Sequence, residues 1–363
     1  MSKPRVAFVV NGGPNSAMAE RAASFSNRLS DRFHCSQVFR TGGKLGAFKR
    51  MASAIATVRP DVCYVLDCGA SVVAAAGWIK HFRGIPFILD TGDAVVELGR
   101  ALGRGPVAVL ATRVLEEYAL RAASAVVVRG SFHRELLARR GVRAEFIPDG
   151  VDVDHFAPKE PPPPRPRGSP LVIGMIGSMV WVPARQTCYG WELIELIRLL
   201  RGRLPIRGVL IGDGSGVEVL KRRCLEYGIE DRVEFAGRVP YAQLPAWLRS
   251  FDICLSTQTN DIIGNVRTTG KLPLYLAAGR FVLASKVGEA ARVLPPEMLI
   301  DFVGESDPEY PAKLAARVLE LTGKSCNLDH VPECIELART HFAYSVLVER
   351  LVNTLEVVGL IPT

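Results

Sequence analysis

Residues 232–255 read RVEFAGRVPYAQLPAWLRSFDICL, and that succession of patterns leaves a chain few architectures to choose from. RVEFAG is a short β-branched and aromatic run, Pro240-Tyr241 a turn, 242–250 a helical segment, and FDICLS a second, buried run. Upstream, RGVLIGDGSGVEVLKRRCLEYGIED repeats the scheme, with a strand over 208–211 entering Gly212-Asp213-Gly214 and then an amphipathic helix. The first half alternates likewise. Its apolar runs at 6–10, 62–66, 86–89 and 125–128 are short and continuous, as strands covered on both faces require. Helical stretches lie between them, one over 17–29 entered through Asn15 or Ser16 as N-cap and one over 113–123 with Glu116 and Glu117 near its start. The alternation predicts an α/β protein with parallel, doubly wound sheets whose functional loops lie at the carboxyl edge.

A chain of 363 residues exceeds the size at which one core keeps growing, so two domains are expected. The sequence APKEPPPPRPRGSP after Phe156 can be neither helix nor central strand and should act as a stiff connector. The division is therefore a first Rossmann-like domain over 1–157, a linker over 158–170, a second α/β domain over 171–340, and a terminal segment over 341–363. No run approaches the ~20 apolar residues of a membrane helix, and MSKPRVAFVVN leads straight into a strand without a leader pattern. A cytoplasmic location is the expectation. Among the eight cysteines there is no C-x-x-C pair, so buried thiols are expected rather than a zinc or redox site.

Charge is lopsided. Residues 1–168 hold 24 Lys and Arg against 15 Asp and Glu, an excess of +9, while the remainder has 21 against 22. The basic clusters Lys44, Lys49, Arg50 and Arg134, Arg139, Arg140, Arg143 could attract an anionic membrane surface or be solvated helix faces. Nucleic acid is disfavoured, since no recognition motif or aromatic interleaving accompanies them.

Several loops carry chemistry. Asn11-Gly12-Gly13-Pro14-Asn15-Ser16 joins a strand to a helix N-terminus, where free N–H groups favour an anion, although the dinucleotide fingerprint is absent. Asn265, Arg267, Thr268, Thr269 and Lys271 cluster at the expected start of a helix. Hydroxyls, two cations and a helix end suit a phosphate-bearing anion, or a threonine there could simply cap the helix. Arg185 could reach a phosphate bidentately, and Trp181 and Trp191 could stack on a ring or pack in a core. Asp93 and Glu97, shortly after the run over 86–89, are carboxylates that could orient or take a proton, or Asp93 could cap a helix.

These units, together with FIPDGVDVDHFAP (146–158) and KLPLYLAAGRFVLAS (271–285), resemble the second half of the GT-B glycosyltransferases of family 4. The resemblance implies two Rossmann-like domains facing a cleft, with a last helix over 342–358 crossing back to the first. It implies a nucleotide-diphosphate sugar donor, retention of configuration, a glycan or lipid-linked acceptor of the cell envelope or of a polysaccharide, and no metal cofactor. By position it places Gly12 and Gly13 toward the donor phosphates, Gly212 and Gly214 along the donor cleft, and main-chain groups of Arg238 and Val239 at the base. Asp152-Val153-Asp154 imitates the metal-binding D-x-D of another transferase fold but falls in the family's I-P-N-G-V-D-like turn. Two departures stand out. The family's paired glutamates fall on Val266 and Leu274, and its basic residue before a helix-opening glycine is Tyr189. The assignments are thus Asp93, Arg267 and Lys271 as catalytic groups, with Gly12, Gly13, Arg185, Gly212, Gly214, Arg238, Val239, Asn265, Thr268 and Thr269 binding the donor. The alternative is a catalytically silent relative that binds a sugar nucleotide or a partner protein. A sugar-nucleotide epimerase would need a histidine and carboxylate set that is not found at matching positions.

Overall fold

The computed structural model describes residues 3–43, 46–160, 168–323, 328 and 331–360. Much of the proline-rich linker, 161–167, lies outside the described residues, as does Lys44. Among the described residues the strands form two six-stranded sheets, parallel throughout. The first contains β1 (Arg5–Val10), β2 (His34–Phe39), β3 (Val62–Leu66), β4 (Phe87–Thr91), β5 (Ala125–Val128) and β6 (Glu145–Phe146), in the order β2-β1-β3-β4-β5-β6. The second contains β7 (Leu171–Ile176), β8 (Ile206–Ile211), β9 (Val233–Gly237), β10 (Ile253–Ser256), β11 (Phe281–Ser285) and β12 (Leu299–Ile300), in the order β12-β11-β10-β7-β8-β9.

The continuous apolar runs have a direct cause. In β1, Ala7 and Val9 join one core cluster while Val6, Phe8 and Val10 join another, so both faces of the sheet are dry and every position must be apolar. Helices Ala47–Val58, Ala70–Arg83 and Pro106–Ala122 cover the first face, and Ala17–Leu29 lies on the second.

The helix Tyr344–Val357 completes that second face. Leu347, Leu351 and Leu355, four residues apart, are fully buried with Val6, Phe8 and Phe25, each contributing roughly 2 kcal/mol of burial. The chain thus returns to the first sheet as expected, and a main-chain bond from Val151 N to Phe342 O (2.9 Å) holds the return.

Three local expectations need correction. β4 runs on through Thr91, so Asp90 and Thr91 belong to the strand and not to the loop after it. Asp90 is tolerated there because Arg21 and Tyr64 hydrogen-bond its carboxylate at 2.8 and 2.7 Å. The helix expected over 113–123 begins at Pro106, which supplies a favourable first-turn residue, so Glu116 and Glu117 lie in its body. Asp93 does not cap the next helix, Val95–Ala101, whose N-cap is Ala94 with no side-chain bond.

Candidate active site

In the second sheet the chain runs from β7 out to β8 and β9, then crosses back to place β10 on the other side of β7. Ligands of open α/β sheets lie beyond the carboxyl ends of the strands at such a reversal. A pocket of about 480 Å³ occupies that place. The loops after β7 and β10 supply Arg185, Tyr189, Thr259, Arg267, Thr269 and Lys271, while Leu98 and Ala101 of the first domain close it from above.

Lys271 opens the helix Lys271–Ala277, and its ammonium sits 3.4 Å from the centroid of the Tyr189 ring. The ring's negative face partly replaces lost water. Burial lowers the lysine's pKa to about 7; the Glu192 carboxylate opposes that shift and Arg267 adds to it. Glu192 itself is 3% exposed, its pKa raised by burial, and its Oε2 accepts from Gly190 N at 3.2 Å. The sequence reading missed this glutamate, because a first-turn acid after a glycine looks like ordinary helix-dipole compensation.

Arg267 reaches across the cleft, its Nε 2.5 Å from Oδ1 of Asp93. Burial alone would raise the Asp93 pKa, but Arg267 and then Arg129 outweigh it and hold the carboxyl below its usual range. Arg185 pairs with Asp261 and donates to Thr259 Oγ1 at 3.1 Å. Its Nε, the Thr187 hydroxyl and the Thr269 hydroxyl are buried without a hydrogen-bond partner among the described residues. All three belong to side chains lining the pocket.

The remaining assigned residues do other things in this structure. Asn265 knits its own loop, donating to Asp261 O at 2.8 Å and accepting from Gly288 N at 3.2 Å. The Thr268 hydroxyl donates to the main-chain oxygen of Arg129 in the other domain, and neither threonine caps the helix, whose N-cap is Gly270. Beside it, Ser131 N donates to Glu289 Oε1 at 2.5 Å, and Gly130 lies so close to the Val266 carbonyl that a side chain there would overlap it. Arg238 also spans the domains, donating to Asn15 O at 2.5 Å, while Val239 packs against the second core.

Gly212 and Gly214 do not line the pocket. With φ of +135° and +151° they let the loop after β8 lie on the main chain of Gly177 and Met179. Gly12 and Gly13 stand at the first sheet's reversal, where the Ser16 hydroxyl donates to Gly13 O at 2.8 Å and caps the helix at Ala19 N. Val266 and Leu274 are buried. Asp152 caps Val153–Phe156 and pairs with Arg28 at 2.7 Å, so the D-x-D segment has a local structural use. Among the described residues no group of three or more His, Cys, Asp or Glu side chains is arranged for a metal ion.

Residues 170–324 match the sequence profile of the family described as glycosyl transferases group 1. The second domain is a group 1 glycosyltransferase domain. The whole chain superposes on HepE from Anabaena, solved with UDP and glucose, with a TM-score of 0.73 at 16% identity, covering 97% of this chain and 99% of that one. Sucrose-phosphate synthase from Thermosynechococcus elongatus gives 0.71 at 15% identity with 98% of each chain covered. The lipopolysaccharide outer core galactosyltransferase WaaB gives 0.63 at 13%, covering 97% and 99%. No curated protein is similar to the sequence at a significant level. The chain has the GT-B fold of two facing Rossmann-like domains, and the second of them carries the group 1 match.

Proposed function

We propose that this chain transfers a sugar, with retention, from a nucleotide-diphosphate sugar in the second-domain pocket to a cell-envelope or polysaccharide acceptor, glycan or lipid-linked, entering over the first domain. The observation that carries the reading is the convergence of Lys271, Arg267 and the unpartnered Thr269 hydroxyl at the strand reversal, under a roof from the other domain. Buried polar atoms without partners cost ~1–3 kcal/mol each, and a diphosphate and sugar would satisfy them. As the glycosidic bond breaks, negative charge grows on the leaving diphosphate, and the two cations stabilise it more than they stabilise the ground state. The diphosphate is then the base that takes the acceptor's proton. The apolar roof of Leu98 and Ala101 helps to exclude water from the reacting centre.

The HepE structures hold UDP and UDP-glucose, which makes uridine sugars the first donors to assay. Wild type should release nucleoside diphosphate from at least one nucleotide sugar, and Lys271→Ala should suppress that release. The absence of both a thermal shift and nucleoside diphosphate release with every common nucleotide sugar would sink the proposal. The silent-binder reading is favoured by one observation, that buried apolar Val266 and Leu274 stand where the resemblance expects glutamates. It requires a donor-induced thermal shift with no turnover.

A further inference from the structure

We propose that the outer face of helix Pro106–Ala122, with the end of helix Ala70–Arg83, is a membrane-docking surface that seats on a bilayer containing anionic lipid. Val107, Leu110 and Val114 are 82%, 61% and 62% exposed, and their spacing of three and four residues puts them on one side of the helix, with Tyr118 next in the row. Opposite them, Val109, Ala119 and Leu120 are buried, the last two in the core of the first sheet. The helix is apolar on two sides where packing explains only one. Tyr118 lies against Gly77, where a side chain would overlap its ring, so the helix Ala70–Arg83 adjoins the row there. It adds Trp78 and Phe82, the latter 65% exposed, their rings 5.0 Å apart. Single exposed apolar residues are ordinary, whereas a continuous set of this size marks an interaction surface.

Charge decides the occupant. Residues 100–114 contain three arginines and no acid, and Arg83, Arg104 and Arg113 are exposed among the apolar side chains. Apolar groups standing apart between cations suit insertion between anionic headgroups, where the side chains reach the acyl boundary and the guanidinium groups stay at the phosphates. In the clusters singled out in the sequence, several cations are already engaged. Arg50 donates to Thr41 O and Gly43 O, Arg134 lies over the Phe146 ring, and Arg140 pairs with Glu117 at 2.5 Å. Among the described residues no helix is long and apolar enough to cross a membrane, so contact here would be peripheral.

The surface also has a place in the reaction. Helix Val95–Ala101, which carries Leu98 and Ala101 into the pocket, passes through residues 102–105 directly into the docking helix. A lipid-borne acceptor would therefore be presented beside the cleft. That delivery step rests on the proposed transfer; the docking does not.

The test uses the full chain, sedimented with phosphatidylcholine vesicles or with vesicles that also contain phosphatidylglycerol. Wild type should co-sediment with the anionic vesicles, weakly with the neutral ones, and be released by high salt. Arg104→Gln with Arg113→Gln should weaken binding by about fivefold per arginine, and Leu110→Ser with Val114→Ser should weaken it at low salt although every arginine is kept. Thermal unfolding and soluble-donor turnover should be unchanged in these variants, since every altered side chain is exposed. Wild type left in the supernatant, equal binding to neutral vesicles, or variants that sediment like wild type would each overturn the proposal. So would a wild-type dimer that the serine variants dissociate without any vesicle binding, which would make the face an interface between copies.

Discussion

Arg267 and Asp93, one in each domain, meet across the cleft with 2.5 Å between Nε and Oδ1. Both are about one-third exposed, at 35% and 34% of their side chains, so the pair is worth roughly 1 kcal/mol toward closure. A carboxylate held below its usual pKa by a guanidinium is a poor proton acceptor near neutrality. Asp93 is therefore expected to hold Arg267 in place and to give it up to the incoming diphosphate, which the five donors of a guanidinium can share. Asp93→Asn should keep donor turnover within about tenfold of wild type, whereas loss of a general base costs ~10²–10⁴. Arg267→Ala should cost more than Asp93→Asn. A hundredfold loss in Asp93→Asn would restore it as the base.

Lys271 makes the diphosphate site pH-dependent. A lysine carries charge below its pKa, and burial brings this one to about 7 in the empty pocket, so above that pH the empty site holds a neutral amine. A bound diphosphate favours the charged form and draws a proton in. Affinity for nucleoside diphosphate should fall as pH rises above about 7, and calorimetry near pH 8 in buffers of different ionisation enthalpy should register uptake approaching one proton. Lys271→Arg should abolish the uptake and keep binding. Lys271→Ala should cost ~2–4 kcal/mol of transition-state stabilisation, and turnover within twofold of wild type would remove the assignment.

The strands that read clearly from sequence are those buried on both faces, such as β1 and β3, where the apolar requirement is unbroken. β2 was not read, because it is an edge strand with only Val38 buried, and half of its HCSQVF is polar, which breaks the continuous apolar run. The two-residue β12 offers no pattern at all. At the site, Lys271 and Arg267 were legible as cations beside hydroxyls at a helix start. The partnership with Asp93 was not, since only the docking of two domains brings those residues together. Thr268 and Arg238 were legible as polar loop residues but not as contacts between domains, for the same reason. Arg21 and Arg129 look like surface residues in the sequence and are buried, because Asp90 takes a guanidinium nitrogen of each, Arg21 at 2.8 Å and Arg129 at 3.4 Å.

The glycines of the two loops should separate sharply. At Gly212 a side chain would demand φ of +135° and overlap the Gly177 carbonyl oxygen, so the loops after β7 and β8 would have to move apart. At Gly13 nothing lies within 4 Å of the added carbon. Gly212→Ala should destabilise the second domain by ~3 kcal/mol or more, from strain and overlap together, and Gly13→Ala by less than about 0.5 kcal/mol. Denaturant midpoints for the two variants that coincide would show that the loop after β8 has other conformations open to it.

The last prediction concerns acid stability. His133 is 4% exposed on helix Ser131–Arg139, with Nδ1 lacking a partner among the described residues. Burial lowers its pKa to about 4; Arg129 and Arg140 push the same way, and Asp93 opposes them. The unfolded chain takes up this proton near pH 6.5 while the folded one resists until about 4. Between those values the unfolded state binds more protons, so stability from this residue is intact above about 6.5 and is lost as pH falls. The loss should be on the order of 3 kcal/mol at about pH 4. Other groups titrate in the same window, so the informative quantity is the difference between wild type and His133→Gln, compared by urea unfolding at neutral pH and at about pH 4.5. The variant should be less stable than wild type at neutral pH, because packing is disturbed, yet lose less on acidification. Parallel losses in the two proteins would show that His133 titrates in the folded protein near its unfolded value, its charge accommodated by the Asp93 carboxylate of the same domain.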